Sequence, residues 1–175
     1  MQYRRALVAG GTYFFTVNLA SRQASLLTDH VDCLRASVRR VRQAHPFEII
    51  AWVVLPEHMH AIWALPPGDA RYSMRWNQIK GAFSNQLPRA ESISASRAGR
   101  RERGIWQRRF WEHLIRNQDD LARHVDYVHY NPVKHGHVAK VSDWPFSSFH
   151  RFVRRGWLSE DWGCADFQGD FGENR

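Results

Sequence analysis

A dense apolar run at residues 47–55, ended by Pro56, constrains the fold of this chain more than any other feature. Phe47, the isoleucines, Trp52 and Leu55 follow one another with almost no polar interruption. Such a run is typical of a strand in the middle of a sheet, buried on both faces. Residues 58–65 have the composition of a second strand, which stops at Pro66-Pro67-Gly68. The sequence therefore predicts a β-hairpin whose first strand is central.

Other elements follow from periodicity and from turn residues. Apolar positions three or four apart indicate helices, and runs of β-branched and aromatic residues indicate strands. These patterns predict a strand at 12–19, a helix at 29–44, a helix at 72–87, a strand at 105–115 and a helix from about 118.

Capping residues and a proline predict where two of the helices begin and end. Thr28 or Asp29 is a suitable N-cap for the first helix, and Asn117 is suitable for the last. Pro132 disfavours helical geometry in the residue before it, so we expect the last helix to end near Tyr130 or Asn131.

The predicted order β-α-β-β-α-β-α defines an α+β chain. It fits a ferredoxin-like fold, with a mainly antiparallel four-stranded sheet and the helices on one face. We expect residues 1–142 to form one domain, and residues 143–175 to be an irregular tail that packs on it through aromatic anchors. Residues 88–104 are small, polar and basic, which predicts a mobile loop.

Charge and composition point to nucleic acid as the partner. Lys and Arg outnumber Asp and Glu by 25 to 17, so the net charge is +8, and a basic, aromatic-rich domain suits a polyanion. The two cysteines are too few and too far apart for a thiolate cluster or a disulfide framework. Without a signal-peptide or membrane-helix pattern, we expect a cytoplasmic protein with no membrane partner and no small-molecule substrate.

Two histidines at the start of the second hairpin strand form half of a candidate metal site. Side chains alternate along a strand, so His58 and His60 face the same way and Met59 faces the other. A pair of histidines in this spacing is a weak signal by itself, because both could be structural or simply exposed.

A tyrosine and an asparagine on the last helix are the second candidate pair. Tyr127 and Asn131 are four residues apart and share one helical face. A tyrosine there could act as a nucleophile, or it could be a structural residue at the rim of the core. The nucleophile hypothesis requires an accessible phenol close to the two imidazoles.

Cations alternate with aromatic residues between Trp106 and His113, as a surface that grips phosphates and stacks on bases requires. The same pattern would arise in a strand with a buried aromatic face and solvated arginines. The candidate DNA-contacting cations are Arg108 and Arg109 in this segment, together with Arg4, Arg5, Lys80, Arg116 and Lys134.

Five stretches of the chain resemble one known family. They are residues 10–18, 51–63 with Leu55-Pro56-Glu57-His58-Met59-His60, 105–113, 126–136 and 142–150. Together they are similar to the REP-associated tyrosine transposases, which are relatives of the small single-tyrosine insertion-sequence transposases. The resemblance covers about residues 3–162. The loop at 88–104 is longer than is usual in that family, and the end beyond residue 163 has no match.

The resemblance implies metal-dependent cleavage and rejoining of single-stranded DNA at repetitive extragenic palindromic (REP) hairpins, through a covalent 5′-phosphotyrosine. It implies that Tyr127 is the nucleophile and that His58 and His60 bind the cation, with Asn131 as third ligand. Tyr130 is the nearest competitor for the nucleophile role. Imidazole and amide ligands suit Mg²⁺ or Mn²⁺. We expect a monomer or a homodimer.

Two other functions use the same residues. In the first, the protein binds hairpin DNA or RNA and its catalytic set is vestigial. In the second, it is a metal-dependent hydrolase in which His58, His60 and a further histidine such as His124 activate water.

Overall fold

A four-stranded antiparallel sheet is the centre of the protein. The structure, a computed structural model, describes residues 7–89, 99 and 103–163. The strands are β1 (Thr12–Asn18), β2 (Glu48–Val54), β3 (His58–Ala64) and β4 (Trp111–Leu114), in the spatial order β2-β3-β1-β4. Every pair is antiparallel, and β2 and β3 form the expected hairpin. The predicted α+β class and four-stranded sheet are confirmed.

Helices cover both faces of the sheet, so the expectation that they lie on one face is wrong in that detail. In chain order they are α1 (Leu26–Asp29), α2 (Val31–Ala44), α3 (Tyr72–Gln86), α4 (Gln118–Lys134) and α5 (Phe149–Arg154). Helices α2 and α3 pack on the face that carries Phe15 and Trp63, whereas α4 packs on the face that carries Phe14 and Ile62. Apolar residues on both faces of β1 and β3 require a layer on each side. No helix in the described part of the chain is long and apolar enough to span a bilayer.

Strand β2 lies at the edge of the sheet, which corrects the prediction of a central position. The segment after α4 covers its outer edge: Ser148 N donates to Trp52 O at 2.8 Å, and Val54 N donates to Phe146 O at 2.9 Å. A chain segment that covers a sheet edge satisfies its backbone groups as a neighbouring strand would. The apolar run therefore indicated burial correctly, but burial does not specify strand order.

Helix α4 begins as predicted and ends later than predicted. The Asn117 side chain caps it by accepting a hydrogen bond from Asp120 N at 2.9 Å. The helix continues through Pro132 to Lys134. Pro132 has no N–H and so removes one backbone hydrogen bond from the last turn of the helix. The carbonyls of Asn131 and Val133 at the helix end accept hydrogen bonds from His135 N and Gly136 N. Gly136 ends the helix with a φ of 71°.

Several shorter predictions also change. The strand predicted at 105–115 is regular only in β4, although Trp106 forms an isolated bridge with Leu19. The N-cap of α2 is His30, because residues 26–29 form the separate turn α1. The segment after α4 contains a 3-10 helix (Val141–Asp143) and α5 in addition to irregular chain.

Most of the predicted loop at 88–104 lies outside the described residues. At its ends, the guanidinium of Arg103 donates to Leu87 O at 2.9 Å and to Pro88 O at 2.6 Å. These bonds connect the end of α3 to the start of the segment that leads into β4.

Candidate active site

His58 and His60 lie side by side on β3 and face helix α4. In the sheet they pair with Asn18 and Thr16 of β1. Their ring centroids are 5.0 Å apart, and the ring planes are close to perpendicular at 83°. His60 is fully buried, and His58 is buried except for 7% of its surface. The predicted pairing of the two imidazoles on one face is present.

Each imidazole has an oxygen atom next to its Nδ1. Thr16 Oγ1 lies 2.9 Å from His60 Nδ1, and His58 Nδ1 donates to Glu57 Oε1 at 2.8 Å. This bond is the main reason that the pKa of Glu57 is below its ordinary value. A histidine whose Nδ1–H is held by an oxygen presents the lone pair of Nε2, as metal-binding histidines do. Burial lowers the pKa of His60 well below its ordinary value, which favours the neutral ligand form.

Asn131 completes a set of donors suited to a divalent cation. Its side chain is fully buried, and its hydrogen-bonding contact with His60 raises the pKa of that imidazole against the larger effect of burial. Apart from this contact with His60, neither Oδ1 nor Nδ2 of Asn131 has a hydrogen-bond partner among the described residues. A buried amide without partners is costly. One amide oxygen beside two neutral imidazoles suits Mg²⁺ or Mn²⁺.

Tyr127 lies against His60, but its phenol is covered. The two ring centroids are 5.2 Å apart, and the tyrosine also contacts Phe14 at 5.9 Å. Only 2% of Tyr127 is exposed. Lys134, the last residue of α4, donates from Nζ to Tyr127 Oη at 3.1 Å, and its Nζ lies 4.4 Å from the ring centroid. The phenol of Tyr127 is therefore close to the imidazole of His60, as the nucleophile hypothesis requires, but in this conformation it is not accessible to DNA.

Tyr130 occupies a different environment. Tyr130 is half-buried, and its ring packs beside Gly163. A Cβ atom added to that glycine would lie 3.5 Å from Tyr130 Cδ2. Of the two tyrosines, Tyr127 is the one whose ring contacts the paired imidazoles among the described residues.

A second cluster of ligand-type side chains joins β4 to the start of α4. One ligand atom each of His113, Asp120 and His124 lies within 4.8 Å of the others. His113 Nε2 donates to Asp120 Oδ2 at 2.9 Å, and Arg116 N donates to the same oxygen at 3.0 Å. Burial raises the pKa of Asp120, but these hydrogen bonds outweigh it and the pKa lies below its ordinary value. The cluster has the composition of a cation site, and its hydrogen bonds also give it a structural role.

The ring of Phe14 lies between this cluster and the paired histidines. Its centroid is 5.5 Å from that of His60 and 4.9 Å from that of His124. The Phe14 ring therefore separates His124 from His58 and His60, which argues against a hydrolase centre made of all three histidines.

The candidate DNA-contacting cations have different environments. Arg108, Arg109 and Arg116 are exposed. Lys80 is buried, with Nζ donating to Gln107 O at 3.1 Å and lying 5.6 Å from the Trp106 ring centroid, so in this conformation it joins α3 to the segment before β4. Lys134 is at the phenol of Tyr127. Arg4 and Arg5 lie outside the described residues.

Sequence reasoning missed Thr16 and His135 as neighbours of the histidine pair. The ring of His135 is 5.0 Å from that of His58. Thr16 and His135 are distant in sequence, and only the β1–β3 register and the continuation of α4 bring them to the site.

Comparisons with known proteins give the family. No protein-family model matches the chain. A REP-associated tyrosine transposase of Escherichia coli (strain K12) is 52% identical over 161 residues, covering 92% of this chain and 90% of the relative. A putative REP-associated tyrosine transposase of Haemophilus influenzae is 48% identical over 162 residues, with 92% of both chains covered.

A solved structure is similar over the same length. It is a REP-associated tyrosine transposase bound to a REP hairpin, with a TM-score of 0.81, 50% identity, and coverage of 95% of this chain and 94% of that chain. Fold and site define an α+β protein in which a helical tyrosine meets a histidine pair on a strand. The chain belongs to the REP-associated tyrosine transposases.

Proposed function

We propose that the protein is a transposase that cleaves and rejoins single-stranded DNA at REP hairpins, with Tyr127 as its nucleophile. Membership of the family supports the transposase assignment, and the hairpin bound to the solved relative supports the choice of DNA. The observation that carries the residue assignment is the 5.2 Å between the rings of Tyr127 and His60.

The proposed reaction exchanges one phosphoester for another. The phenolic oxygen of Tyr127 loses its proton and attacks the phosphorus atom. A P–O bond to the tyrosine forms as the bond to the 3′-oxygen breaks, and the 3′-oxygen takes up a proton. Attack by a 3′-hydroxyl on the phosphotyrosine reverses the step and joins strands without a nucleotide cofactor. The ammonium of Lys134 stabilises negative charge on the phenolic oxygen.

We propose His58, His60 and Asn131 as the ligands of a divalent cation. The buried Asn131 amide, which has no partner among the described residues other than its contact with His60, supports this choice over the hydrogen-bonded cluster around Asp120. When bound, the cation neutralises phosphate charge and polarises the P–O bond.

Attack requires that the phenol first be uncovered. Lys134 is exposed and lies over the Tyr127 ring, so an arriving phosphate competes with the phenol for its ammonium group. We therefore place a shift of the Lys134 side chain off the Tyr127 ring before cleavage, after which its ammonium group lies between the phosphate and the phenolic oxygen and stabilises the negative charge on both.

A covalent-adduct assay tests the proposal. Labelled single-stranded REP hairpin DNA incubated with Mn²⁺ or Mg²⁺ should form a denaturant-resistant protein–DNA band. Tyr127→Phe should abolish the band and retain hairpin binding, and Tyr130→Phe should retain both. Cleavage by Tyr127→Phe would disprove the assignment.

The burial of Tyr127 also favours a second candidate, a hairpin-binding protein without catalysis. That function predicts tight, salt-sensitive hairpin binding and no product at any cation concentration. The same assay separates the two functions.

A further inference from the structure

A cluster of ligand-type side chains lies where β4 meets the start of α4, apart from the paired histidines. His113 is on β4, whereas Asp120 and His124 are on the first two turns of α4. One ligand atom of each lies within 4.8 Å of the others. The Phe14 ring stands between this cluster and His60, with centroid distances of 4.9 Å to His124 and 5.5 Å to His60. An ion in the cluster would therefore be a different ion from the one proposed for catalysis.

The ligand types and their spacing suit an ion of the zinc type. Asp120 and His124 are four residues apart, so they share one helical face, as the two histidines of a helical zinc motif do. His113 adds a ligand from the neighbouring strand. Two imidazoles and one carboxylate, with a water at the fourth position, form a set that Zn²⁺ takes up in proteins. The carboxylate gives this set a negative charge, whereas the ligands proposed around His60 are uncharged.

Hydrogen bonds indicate which ring nitrogens would face an ion. His124 Nδ1 donates to Asp120 O at 2.7 Å, so Nε2 of that ring carries the lone pair. His113 Nε2 donates to Asp120 Oδ2 at 2.9 Å. When an ion binds, the proton of the neutral His113 ring moves from Nε2 to Nδ1, and Nε2 becomes the ligand.

An ion can reach the cluster from solvent. The side chain of His113 is 24% exposed, while those of Asp120 and His124 are almost completely buried. Arg123 Nη2, a competing cation, lies 3.7 Å from Asp120 Oδ1, but its side chain is 69% exposed and can turn away. Bonds of about 2.0–2.1 Å place the ligands of one tetrahedral ion about 3.3 Å apart. Small side-chain rotations therefore bring the three ligand atoms onto one ion.

We propose that His113, Asp120 and His124 bind a second divalent ion, of the zinc type, which joins β4 to the start of α4. Helix α4 carries Tyr127 and Asn131, so this ion holds the candidate catalytic helix on the sheet. The inference goes beyond the proposed function, because the ion takes no part in cleavage. In the alternative account, hydrogen bonds alone hold the cluster, and the protein binds one ion fewer.

Matched variants separate the two ion sites while preserving hydrogen bonds. In the cluster variant, His113→Gln and His124→Asn place amide nitrogens where Nε2 and Nδ1 now donate, and they remove the imidazole ligands. In the pair variant, His58→Asn and His60→Asn preserve the Nδ1 contacts in the same way. His30→Gln, at the N-cap of α2, is the control for a histidine in neither site.

The first measurement counts bound ions. The full-length protein is stripped with a chelator and titrated with Co²⁺, which takes tetrahedral zinc sites and absorbs visible light there. Bound Zn²⁺ is counted in parallel by elemental analysis after gel filtration. We expect two equivalents in the wild type and in His30→Gln, and one equivalent in the cluster variant and in the pair variant.

The second measurement is thermal stability. Zn²⁺ at about 100 times its dissociation constant should raise the melting temperature of the pair variant by about 5–10 °C. The reason is that an ion bound only by the folded chain stabilises it. A protein with all four substitutions should show no shift.

One equivalent in the wild type would overturn the inference without any variant, as would two equivalents in the cluster variant. Loss of the second equivalent in His30→Gln would also overturn it, because that ion would be held adventitiously by other histidines. Should the cluster variant fail to fold, His113→Gln alone decides, since residue 113 is partly exposed. A pair variant that still binds two equivalents would refute the proposed catalytic ligands and leave the second site intact.

Discussion

Lys134 Nζ donates a hydrogen bond to Tyr127 Oη across two turns of helix α4, at a distance of 3.1 Å. The contact exists because the helix continues through Pro132, which places residues 127 and 134 on one face. It joins the candidate nucleophile to an exposed cation that was predicted only as a DNA contact.

Replacing Lys134 should slow the covalent step. A hydrogen bond from a charged group contributes about 1.5–3 kcal/mol, so Lys134→Gln should reduce the rate of adduct formation by about tenfold or more. Lys134→Arg should restore part of the rate, because it returns a positive charge. Quench-flow measurement of adduct at saturating DNA checks this. A faster rate in Lys134→Gln would mean that the lysine acts mainly as a cover for the phenol.

Asn131→Leu should separate fold stability from cation binding. Apart from its contact with His60, the buried amide has no hydrogen-bond partner among the described residues, and a buried polar group left unsatisfied costs about 1–3 kcal/mol. Without metal, we expect a melting temperature equal to or above that of the wild type. With millimolar Mn²⁺ the wild type should gain stability and the variant should not, because binding stabilises only a protein that retains its ligands. A variant destabilised without metal would contradict this account.

Asp120→Ala should destabilise the fold whether or not metal is present. The carboxylate of Asp120 accepts from His113 Nε2 and from Arg116 N, and loss of a buried acceptor leaves those donors unsatisfied. We expect a loss of about 2–3 kcal/mol in the free energy of unfolding, measured by chemical denaturation. If this variant instead lost the Mn²⁺-induced shift and Asn131→Leu kept it, the cation would belong to the His113, Asp120 and His124 cluster.

Arg75 supplies a stability test away from the site. Its side chain is 1% exposed, and it donates to His45 O, to Pro46 O and to both carboxylate oxygens of Asp69. Arg75→Leu should cost about 3 kcal/mol at pH 7, because it leaves two buried carbonyls without their donor and leaves Asp69 with Arg71 as its remaining donor. Urea denaturation checks the value, with the exposed Arg71→Leu as a milder control.

The same ion pair predicts a pH dependence. The hydrogen bond from Arg75 is the largest cause that holds the pKa of Asp69 below its ordinary value of 3.8. A carboxyl group with a lowered pKa in the folded state adds stability above its unfolded pKa and loses it as the pH falls further. The stability gap between wild type and Arg75→Leu should therefore narrow below about pH 4. A gap that stays constant from pH 7 to pH 3 would contradict the assignment.

The sequence by itself determined the local elements and the chemical types at the site. Alternation along a strand was enough to place His58 and His60 on one side, and the cap at Asn117 was enough to start the last helix. These features depend on residues a few positions apart, so a linear pattern contains them. The resemblance of five stretches to one family could likewise be recognised from the sequence alone.

Only the tertiary structure decided which surfaces those elements share. Strand β2 is at an edge, α4 lies on the face opposite α2, and Tyr127 is covered. Asn131 is buried beside His60, and arginines from α2 and from the segment around α5 line one groove. Each outcome depends on packing between segments far apart in sequence, where burial of apolar area drives association without specifying a partner. The periodicity of one segment therefore cannot show which segment will cover it.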